Sequence, residues 1–319
     1  MSVDTDVTLE QAGLRQALAQ VLGCPRCEGR LELEDASSRV RCAACGGAFP
    51  VRDGIPVFTL EGSGSQEGER AFRDRLAADH VATERGALLE TVAEHHCVPV
   101  MRQRATAFAS RSDATDWLLD VGIGWGWHWM GRSTGARVLG VDMSLGSLRL
   151  ARRLLGKTDR VVLLCADATA LPLRHRSVTG LWSVQAFQHM PERVLERATA
   201  ELDRTLRDDF RMEISNLNPA LAHRIIYRLA GRRLHRQGRV GEMELSRRTG
   251  REWAAVWRDF RGARSRVFVG YSELFFHPDL GVRPREYPLR LERALARVPA
   301  IARLIARQVD VRVESGSGG

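Results

Sequence analysis

Short apolar runs alternate with segments of helical periodicity through the middle and the end of the chain. The runs are rich in Val, Leu and Ile and predict buried strands, whereas apolar residues three or four positions apart predict helices. Strands that alternate with helices favour an α/β fold with a doubly wound, mostly parallel sheet and helices on both of its faces. Seven strands are predicted, at residues 117–121, 136–142, 161–165, 180–184, 210–214, 265–269 and 309–313.

Outside these strands the pattern predicts helices and a separate amino-terminal unit. The helices are expected at residues 8–22, 144–155, 249–260 and 289–306 and within 70–110, and a hairpin at 31–33 and 38–41. Gly and Ser dominate residues 61–68, which predicts a flexible linker. We therefore expect a small domain at 1–60, a linker at 61–75 and a main domain at 76–319, with an insertion at about 216–250.

The loop after the first predicted strand of the main domain carries a glycine at every second position. The strand ends in Asp120, and Gly122, Gly124 and Gly126 follow. Glycine allows the backbone to turn sharply and to approach a ligand closely, and a strand, a glycine loop and a helix cradle nucleotides in doubly wound folds. Asp142 ends the next strand, 22 residues beyond Asp120, where an acid can accept hydrogen bonds from ribose hydroxyls.

Two Cys-x-x-Cys pairs lie near the amino terminus. Cys24 and Cys27 are followed, after fourteen intervening residues, by Cys42 and Cys45. Four thiolates on two tight turns can close a tetrahedral site around zinc, and redox dithiols or unrelated thiols are the alternatives. The run 95–97, His-His-Cys, is interpreted as structural, because neighbouring residues on a helix point about 100° apart and do not converge on one metal.

Composition and charge narrow the class of protein. The chain has 319 residues, of which 44% are hydrophobic and 27% charged, so it can bury the cores of one large and one small domain. Its formal net charge is +9, and Lys157 is the sole lysine, so the excess positive charge is arginine. Arginine suits phosphate and carboxylate partners, although codon bias in a GC-rich genome also explains this usage.

The sequence offers no sign of a membrane span or a secretion signal. Its apolar segments are too short to cross a bilayer, and the first residues lack the basic and then apolar order of a leader. Paired cysteines in a chain of this kind favour metal binding over disulfides. A cytoplasmic location is therefore expected.

The main domain resembles the class I methyltransferases that use S-adenosylmethionine, in particular their small-molecule branch. The resemblance covers about residues 100–215 and is carried by the glycine loop, by Asp142, by Asp167-Ala168, by 171–173 (Leu-Pro-Leu) and by 188–191 (Gln-His-Met-Pro). It departs from the family at His175, at Thr179 and at 208–210 (Asp-Asp-Phe). The residues expected to bind the cofactor are Asp120, Gly122, Gly124, Gly126, Asp142, Asp167, Ala168 and Gln185.

Residues 10–60 resemble the small zinc protein that activates tRNA and protein methyltransferases. The resemblance rests on the two cysteine pairs and on the run Phe49–Pro56, which contains Asp-Gly-Ile-Pro. It implies a structural zinc ion, since four thiolates leave no open coordination position for catalysis.

His189 follows the fourth predicted strand and is the candidate catalytic residue. Ligands bind at the carboxyl ends of strands in open α/β sheets, and an imidazole there could take a proton from an attacking hydroxyl or amine. The alternative is that His189 only begins the next helix and hydrogen-bonds its backbone. Gln185 is a candidate contact for the same positional reason, and Trp125, between two glycines, could line the cleft.

Arginine is concentrated in the insertion, where Arg224, Arg228 and Arg232 are spaced to share one helical face. They favour an anionic substrate or nucleic acid, and a solvated basic face is the alternative. Three functions therefore compete: a methyltransferase acting on a small molecule, an RNA methyltransferase, and a non-catalytic binding partner. The methyl acceptor and the oligomeric state are left open.

Overall fold

The structure is a computed structural model. It describes residues 4–34, 38–59, 66–131, 135–156, 158–229, 237–240, 243–276 and 287–316.

The amino-terminal unit consists of one helix and a small antiparallel sheet. Helix α1 (Asp4–Gln20) precedes four short strands, and the sheet has the order β1-β2-β3-β4. The predicted helix and hairpin are confirmed. The strands are β1 (Leu31–Leu33), β2 (Arg39–Cys42), β3 (Ala48–Arg52) and β4 (Ile55–Pro56).

Three helices lead from this unit into the main sheet. They are α2 (Glu67–Ala78), α3 (Arg85–His95) and α4 (Val98–Ala109), as the periodicity of residues 70–110 predicts. Residues 67–75, from the expected linker, are therefore helical, whereas residues 61–65 lie outside the described part of the chain. The domain boundaries stay a prediction.

The remaining elements alternate between strands and helices. Residues 289–306 were expected to form one helix, which is wrong: Pro299 has no N–H to donate and clashes with the preceding turn, so a second helix begins there. In chain order the elements are β5 (Trp117–Val121), β6 (Arg137–Asp142), α5 (Leu145–Leu155), β7 (Val161–Cys165), β8 (Val178–Val184), α6 (Glu192–Thr205), β9 (Leu206–Leu217), α7 (Leu221–Leu229), β10 (Gln237–Val240), β11 (Met243–Ser246), α8 (Gly250–Arg258), β12 (Ser265–Ser272), α9 (Leu289–Ala296), α10 (Pro299–Ile305) and β13 (Gln308–Ser315).

Seven of these strands form one sheet with the order β12-β13-β9-β8-β5-β6-β7. The five strands from β9 to β7 are parallel, and β13 runs antiparallel to both of its neighbours. Alternate side chains face opposite cores: Leu119 and Leu139 pack with α1 and α6, whereas Leu118 and Val138 pack with α4 and α5. The predicted fold class, a doubly wound and mostly parallel seven-stranded sheet with a small amino-terminal domain, is confirmed. No helix in the described ranges is both long and apolar enough to cross a membrane.

The amino-terminal unit is joined to the edge of the main sheet by backbone hydrogen bonds. Phe58 donates its N–H to the carbonyl of Cys165 at 2.7 Å, and Val57 forms a parallel bridge with the same residue of β7. An unpaired edge strand is a site of unwanted association, so this contact also protects β7. On the other side of the unit, the Arg174 guanidinium donates to the carbonyls of Leu18, Ala19 and Leu22, each at 2.9 Å.

Replacing Arg174 tests how strongly this junction stabilises the protein. The variant Arg174→Met removes three charge-assisted hydrogen bonds to carbonyls at the end of α1, and we expect the free energy of unfolding to fall by about 2 kcal/mol. Urea unfolding followed by tryptophan fluorescence measures the change. Arg15→Met, at an exposed position on α1, is the matched control. An equal effect of the two substitutions would contradict the assigned role.

Candidate cofactor site and metal centre

A cavity of about 370 Å³ opens at the carboxyl ends of β5, β6 and β8. Its volume lies within the usual range for sites that bind small molecules. The glycine loop, the end of β6 and the segment after β8 form its floor, and side chains from α2 and α3, among them Glu69 and Val92, line it from the opposite side. Trp125 and Trp127 add aromatic surface to its wall.

Two glycines of the loop have different structural reasons to be glycine. Gly122 has φ 70°, and a Cβ at this position would collide with the Cβ of Ala186. Gly124 has φ 55°, and a Cβ there would meet no atom within 4 Å, so its backbone faces open cavity. Both residues line the cavity, whereas Gly126 does not. The structure therefore presents bare main chain to a ligand at Gly124.

The carboxylate of Asp142 is held at the cavity wall by two backbone groups. Its Oδ2 accepts from the Gly124 N–H and its Oδ1 from the Ser144 N–H, both at 2.9 Å. Burial raises the pKa of Asp142, against the lowering effects of these two N–H groups and of Arg73. Each oxygen retains acceptor capacity, which is what the expected contact with ribose hydroxyls requires.

Asp120 is placed differently from the expectation. Its side chain is fully buried and does not line the cavity. Oδ2 accepts from the indole Nε1 of Trp129 at 2.6 Å and is paired with Nε2 of His128 at 2.7 Å. Asp120 thus fixes the turn after the glycine loop, and its direct contact with a cofactor stays a prediction.

His128 is a cavity residue that the sequence analysis did not single out. The Asp120 carboxylate can only accept, so Nε2 of His128 carries a proton that it donates to Asp120. Nδ1 of the same ring is buried and has no hydrogen-bond partner among the described residues, although His128 lines the cavity. The sequence does contain a signal for this pairing: Asp120 precedes His128 by eight residues, with the glycine loop between them.

Gln185 presents a second unsatisfied group to the cavity. The residue has φ 58° and donates its N–H to the carbonyl of Ser215 at 2.7 Å. Its side-chain Nε2 is buried, with no partner in the part of the chain that the structure describes. A buried amide without a partner is uncommon in native proteins, so this Nε2 is available to donate to a ligand.

His189 lines the cavity, but hydrogen bonds engage both of its ring nitrogens. The Gln188 amide is oriented by the Leu217 N–H, which donates to Oε1 at 2.7 Å, so Nε2 of Gln188 donates to Nε2 of His189 at 3.1 Å. Nδ1 of His189 then donates to the Glu244 carbonyl at 2.7 Å. Burial and the charge of Arg73 lower the pKa of His189 to about 4. The imidazole of His189, with a hydrogen bond at each nitrogen, connects β11 to the site. Its role as a base stays a prediction.

Glu69, from α2, is the acid nearest to His189. Oε1 lies 3.8 Å from Nδ1 of His189 and 3.2 Å from the Arg73 guanidinium, and Oε2 is buried without a partner within the described ranges. Burial raises the pKa of Glu69 to about 7; Arg73 opposes the shift, and the charges of Asp142 and Glu244 add to it. Sequence reasoning missed Glu69 because it falls in the stretch expected to be a linker.

The pair after β7 divides between the cavity and the turn. Ala168 lines the cavity, whereas Asp167 does not. Oδ1 of Asp167 accepts from the backbone N–H and the hydroxyl of Thr169, both at 2.8 Å. Asp167 therefore shapes the turn that places Ala168.

The four cysteines converge as predicted. Their sulfur atoms lie within 4.8 Å of one another, with Cys24 to Cys45 at 3.7 Å and Cys27 to Cys42 at 3.5 Å. A tetrahedral zinc ion with Zn–S bonds of about 2.3 Å places sulfurs about 3.8 Å apart, so the set fits zinc. Burial raises the pKa of Cys24 to about 12. At Cys42 burial acts in the same direction, but the backbone N–H groups of Cys45 and Ala44 and the thiols of Cys27 and Cys45 together outweigh it, and the pKa falls to about 7.

The predicted arginine face of the insertion is described only in part. Arg224 and Arg228 are exposed on α7. Arg232 lies outside the described residues, so the spacing of the three stays a prediction.

Comparison with known proteins matches the two parts of the chain separately. Residues 118–209 match the model of a methyltransferase domain, and residues 15–54 match the model of Trm112p-like proteins. Methyltransferase GfsG of Streptomyces halstedii is 37% identical over 105 residues, which cover 31% of this chain and 37% of that protein. A UPF0434 protein of Stutzerimonas stutzeri is 55% identical over 41 residues, which cover 13% of this chain and 67% of that protein.

A solved structure shares the fold. A chain from the complex between the Haloferax volcanii Trm112 methyltransferase activator and a methyltransferase has a TM-score of 0.52, at 17% identity. The similarity covers 78% of this chain and 98% of that one. Strand order, cavity position and both matches define a class I methyltransferase fold fused to a zinc-protein module. The chain therefore contains a methyltransferase domain of the class I fold at residues 118–209 and a Trm112p-like domain at residues 15–54.

The raised pKa of Glu69 predicts a pH-dependent contribution to stability. Between about pH 4.5 and pH 7, folding makes Glu69 take up a proton, so its contribution to the free energy of unfolding falls as pH rises. His189 acts in the opposite sense because its pKa is lowered, and it is present in both proteins compared. In Glu69→Gln the fall is removed, so the stability of the variant relative to the unsubstituted protein should rise by about 1 kcal/mol per pH unit in this range.

Urea unfolding at about pH 5 and about pH 6 measures this difference. Glu67→Gln, at an exposed position on the same helix, should show the same stability relative to the unsubstituted protein at both pH values. If the difference in free energy of unfolding between Glu69→Gln and the unsubstituted protein is the same at both pH values, Glu69 is ionised in the folded protein.

The cysteine set predicts a metal that supports folding. Replacing Cys24 and Cys42 with serine removes one thiolate from each pair, so we expect bound zinc to be lost and the midpoint of thermal unfolding to fall. Elemental analysis and calorimetry measure both. Cys165→Ser, at a buried thiol outside the set, is the control for zinc content. Unchanged zinc in the double variant would rule out the assigned ligands.

Proposed function

We propose that this chain transfers a methyl group from S-adenosylmethionine to a small organic acceptor bound in the cavity. The observation that carries the proposal is the convergence on one cavity of the Asp142 carboxylate, the open backbone at Gly124 and the unpaired amide of Gln185. These groups offer an acceptor for hydroxyls, a close approach for a nucleoside and a donor for an anionic or carbonyl oxygen.

The cofactor would be held by residues that the structure already orients. Asp142 is proposed to accept from the ribose hydroxyls, with the main chain of Gly122 and Gly124 beside it and Ala168 on the adenine side. The unpaired Nδ1 of His128 is proposed to form a hydrogen bond with the ligand, and Gln185 to donate to a ligand oxygen. When bound, S-adenosylmethionine supplies an electrophilic methyl group on a sulfonium. We propose that Asp120, Gly126 and Asp167, which do not line the cavity, hold the loops that carry the lining residues.

The acceptor would lie between α2, α3 and the segment after β8. This part of the wall combines apolar side chains, including Leu76, Val92 and Met190, with the carboxyl group of Glu69. Helix α2 contacts β11, and both β11 and Gln66 contact the segment that carries His189, so these elements border the cavity on this side, which favours a compact acceptor. The acceptor is therefore proposed to be largely apolar, with one hydroxyl or amine as the reacting group.

Glu69 is the group best placed to remove a proton from that acceptor. Its Oε2 is unpaired, and a pKa of about 7 is matched to general-base work near neutral pH. His189 is proposed to position β11 over the cavity through Glu244, since both of its nitrogens are engaged. We propose that the zinc ion is structural and stabilises the module that covers the edge of the sheet.

Transfer of labelled methyl from S-adenosylmethionine into fractionated metabolites and RNA of the source organism tests the function. We expect label in the small-molecule fraction. Asp142→Ala should weaken binding of S-adenosylhomocysteine about 10- to 100-fold in calorimetry, because it removes a charged acceptor of hydroxyl hydrogen bonds. Asp113→Ala, at an exposed acid, is the control.

Glu69→Gln should retain cofactor affinity and lose about 100-fold or more in transfer rate. Label in RNA would instead support an RNA methyltransferase, for which the net charge of +9 is the favouring observation. No affinity for the cofactor would favour a non-catalytic binding partner.

A further inference from the structure

Exposed aliphatic side chains cluster on three helices in the last third of the chain. Within the described ranges eleven large apolar residues are exposed, and seven of them lie on α7, on α9 and α10, or at the turn between the last two. Helix α10 packs against both α7 and α9, so the three form one continuous surface. We name it the helical surface; its apolar members are Leu221, Ile225, Leu229, Leu291, Val298, Ile301 and Leu304.

The same surface is strongly positive. In the described part of these helices and their connecting turn, the sole acidic residue is Glu292, which is buried and accepts hydrogen bonds from the Glu273 N–H, the Leu274 N–H and the Tyr287 hydroxyl. The outward face thus carries no carboxylate among the described residues. Its exposed arginines are Arg224, Arg228, Arg290, Arg293, Arg297 and Arg303.

Apolar and basic residues form neighbouring stripes on α7. Leu221, Ile225 and Leu229 are four positions apart and share one side of the helix, and Arg224 and Arg228 lie directly beside them. A helix with this arrangement is typical of segments that lie in the interface of a membrane, with aliphatic side chains at the acyl boundary and arginines among the headgroups.

We propose that the helical surface binds the anionic face of a lipid bilayer as a peripheral contact. Six arginines without an exposed carboxylate complement anionic headgroups, each contributing about fivefold to binding, and the aliphatic side chains gain by leaving water. A second copy of this chain is disfavoured, because a two-fold interface would oppose six arginines with six more. The apolar members are all aliphatic, whereas the centres of protein interfaces are enriched in aromatic residues.

The topology places this surface at the same end of the sheet as the cavity, the end at which the parallel strands finish. Helix α7 follows the carboxyl end of β9, and α10 leads into β13, which runs antiparallel to β9 and so begins at that end. A bilayer bound at the helical surface would therefore lie beside the end of the sheet at which the cavity opens. The proposal rests on exposure and charge alone and does not depend on methyl transfer.

Sedimentation of the full-length protein with vesicles tests the proposal. Vesicles of equal parts phosphatidylcholine and phosphatidylglycerol should bind the protein, and vesicles of phosphatidylcholine alone should not. The double variant Arg224→Gln, Arg228→Gln should bind the anionic vesicles about 30-fold more weakly. The double variant Arg251→Gln, Arg258→Gln, which removes two exposed arginines from α8, is the matched control and should bind like the unsubstituted protein.

A second pair of substitutions, Ile225→Ser and Leu229→Ser, separates apolar insertion from charge. These residues are 50% and 84% exposed, so the variant should keep its thermal midpoint and lose vesicle binding. Equal binding to neutral and anionic vesicles, or none to either, would overturn the proposal. A concentration-dependent dimer that this pair abolishes would assign the surface to a second copy of the chain instead.

Discussion

The carboxylate of Asp142 organises the site by accepting hydrogen bonds from the segments that follow β5 and β6. Through Gly124 it holds the loop that follows β5, and through Ser144 it holds the beginning of α5. Ser144 extends the network, since its hydroxyl donates to Asp74 of α2 at 2.6 Å and Asp74 also accepts from the Gly146 N–H. A buried charge is costly unless it is fully bonded, so these contacts stabilise one arrangement of loop, strand end and covering helix.

The electrostatics of the cavity follow from two carboxyl groups in one buried space. Burial disfavours ionisation of both Glu69 and Asp142; the charge of Asp142 adds to this effect at Glu69, and Arg73 on α2 opposes it at both. The pKa of Glu69 therefore lies at about 7. At Asp142 the backbone N–H groups favour the charged form of the carboxylate. Two acids in one cavity thus have different environments, a common arrangement at functional sites. His189, with a lowered pKa, contributes structure rather than charge to the same wall.

The amino-terminal module is an integral part of the core of the main domain. Leu14, Leu18 and Val21 share one apolar cluster with Leu119 and Leu139 of the main sheet. The segment at 57–58 covers the edge of β7, and the cysteine cluster closes the turns that precede it. Loss of the metal site would therefore be expected to weaken the main domain as well, because the two parts bury a common surface.

Sequence periodicity by itself determined the fold class, since alternation of buried strands and amphipathic helices depends only on local spacing. Short motifs in the sequence located the cysteine pairs, the glycine loop and the acid at the end of β6, because each has its own physical reason. Periodicity was wrong at Pro299, where one proline divides the expected helix. Tertiary structure decided which acids face the cavity: Asp142 does, whereas Asp120 and Asp167 turn to internal partners. It also brought Glu69 and His128 to the site, because burial and pairing depend on segments far apart in the chain that only folding brings together.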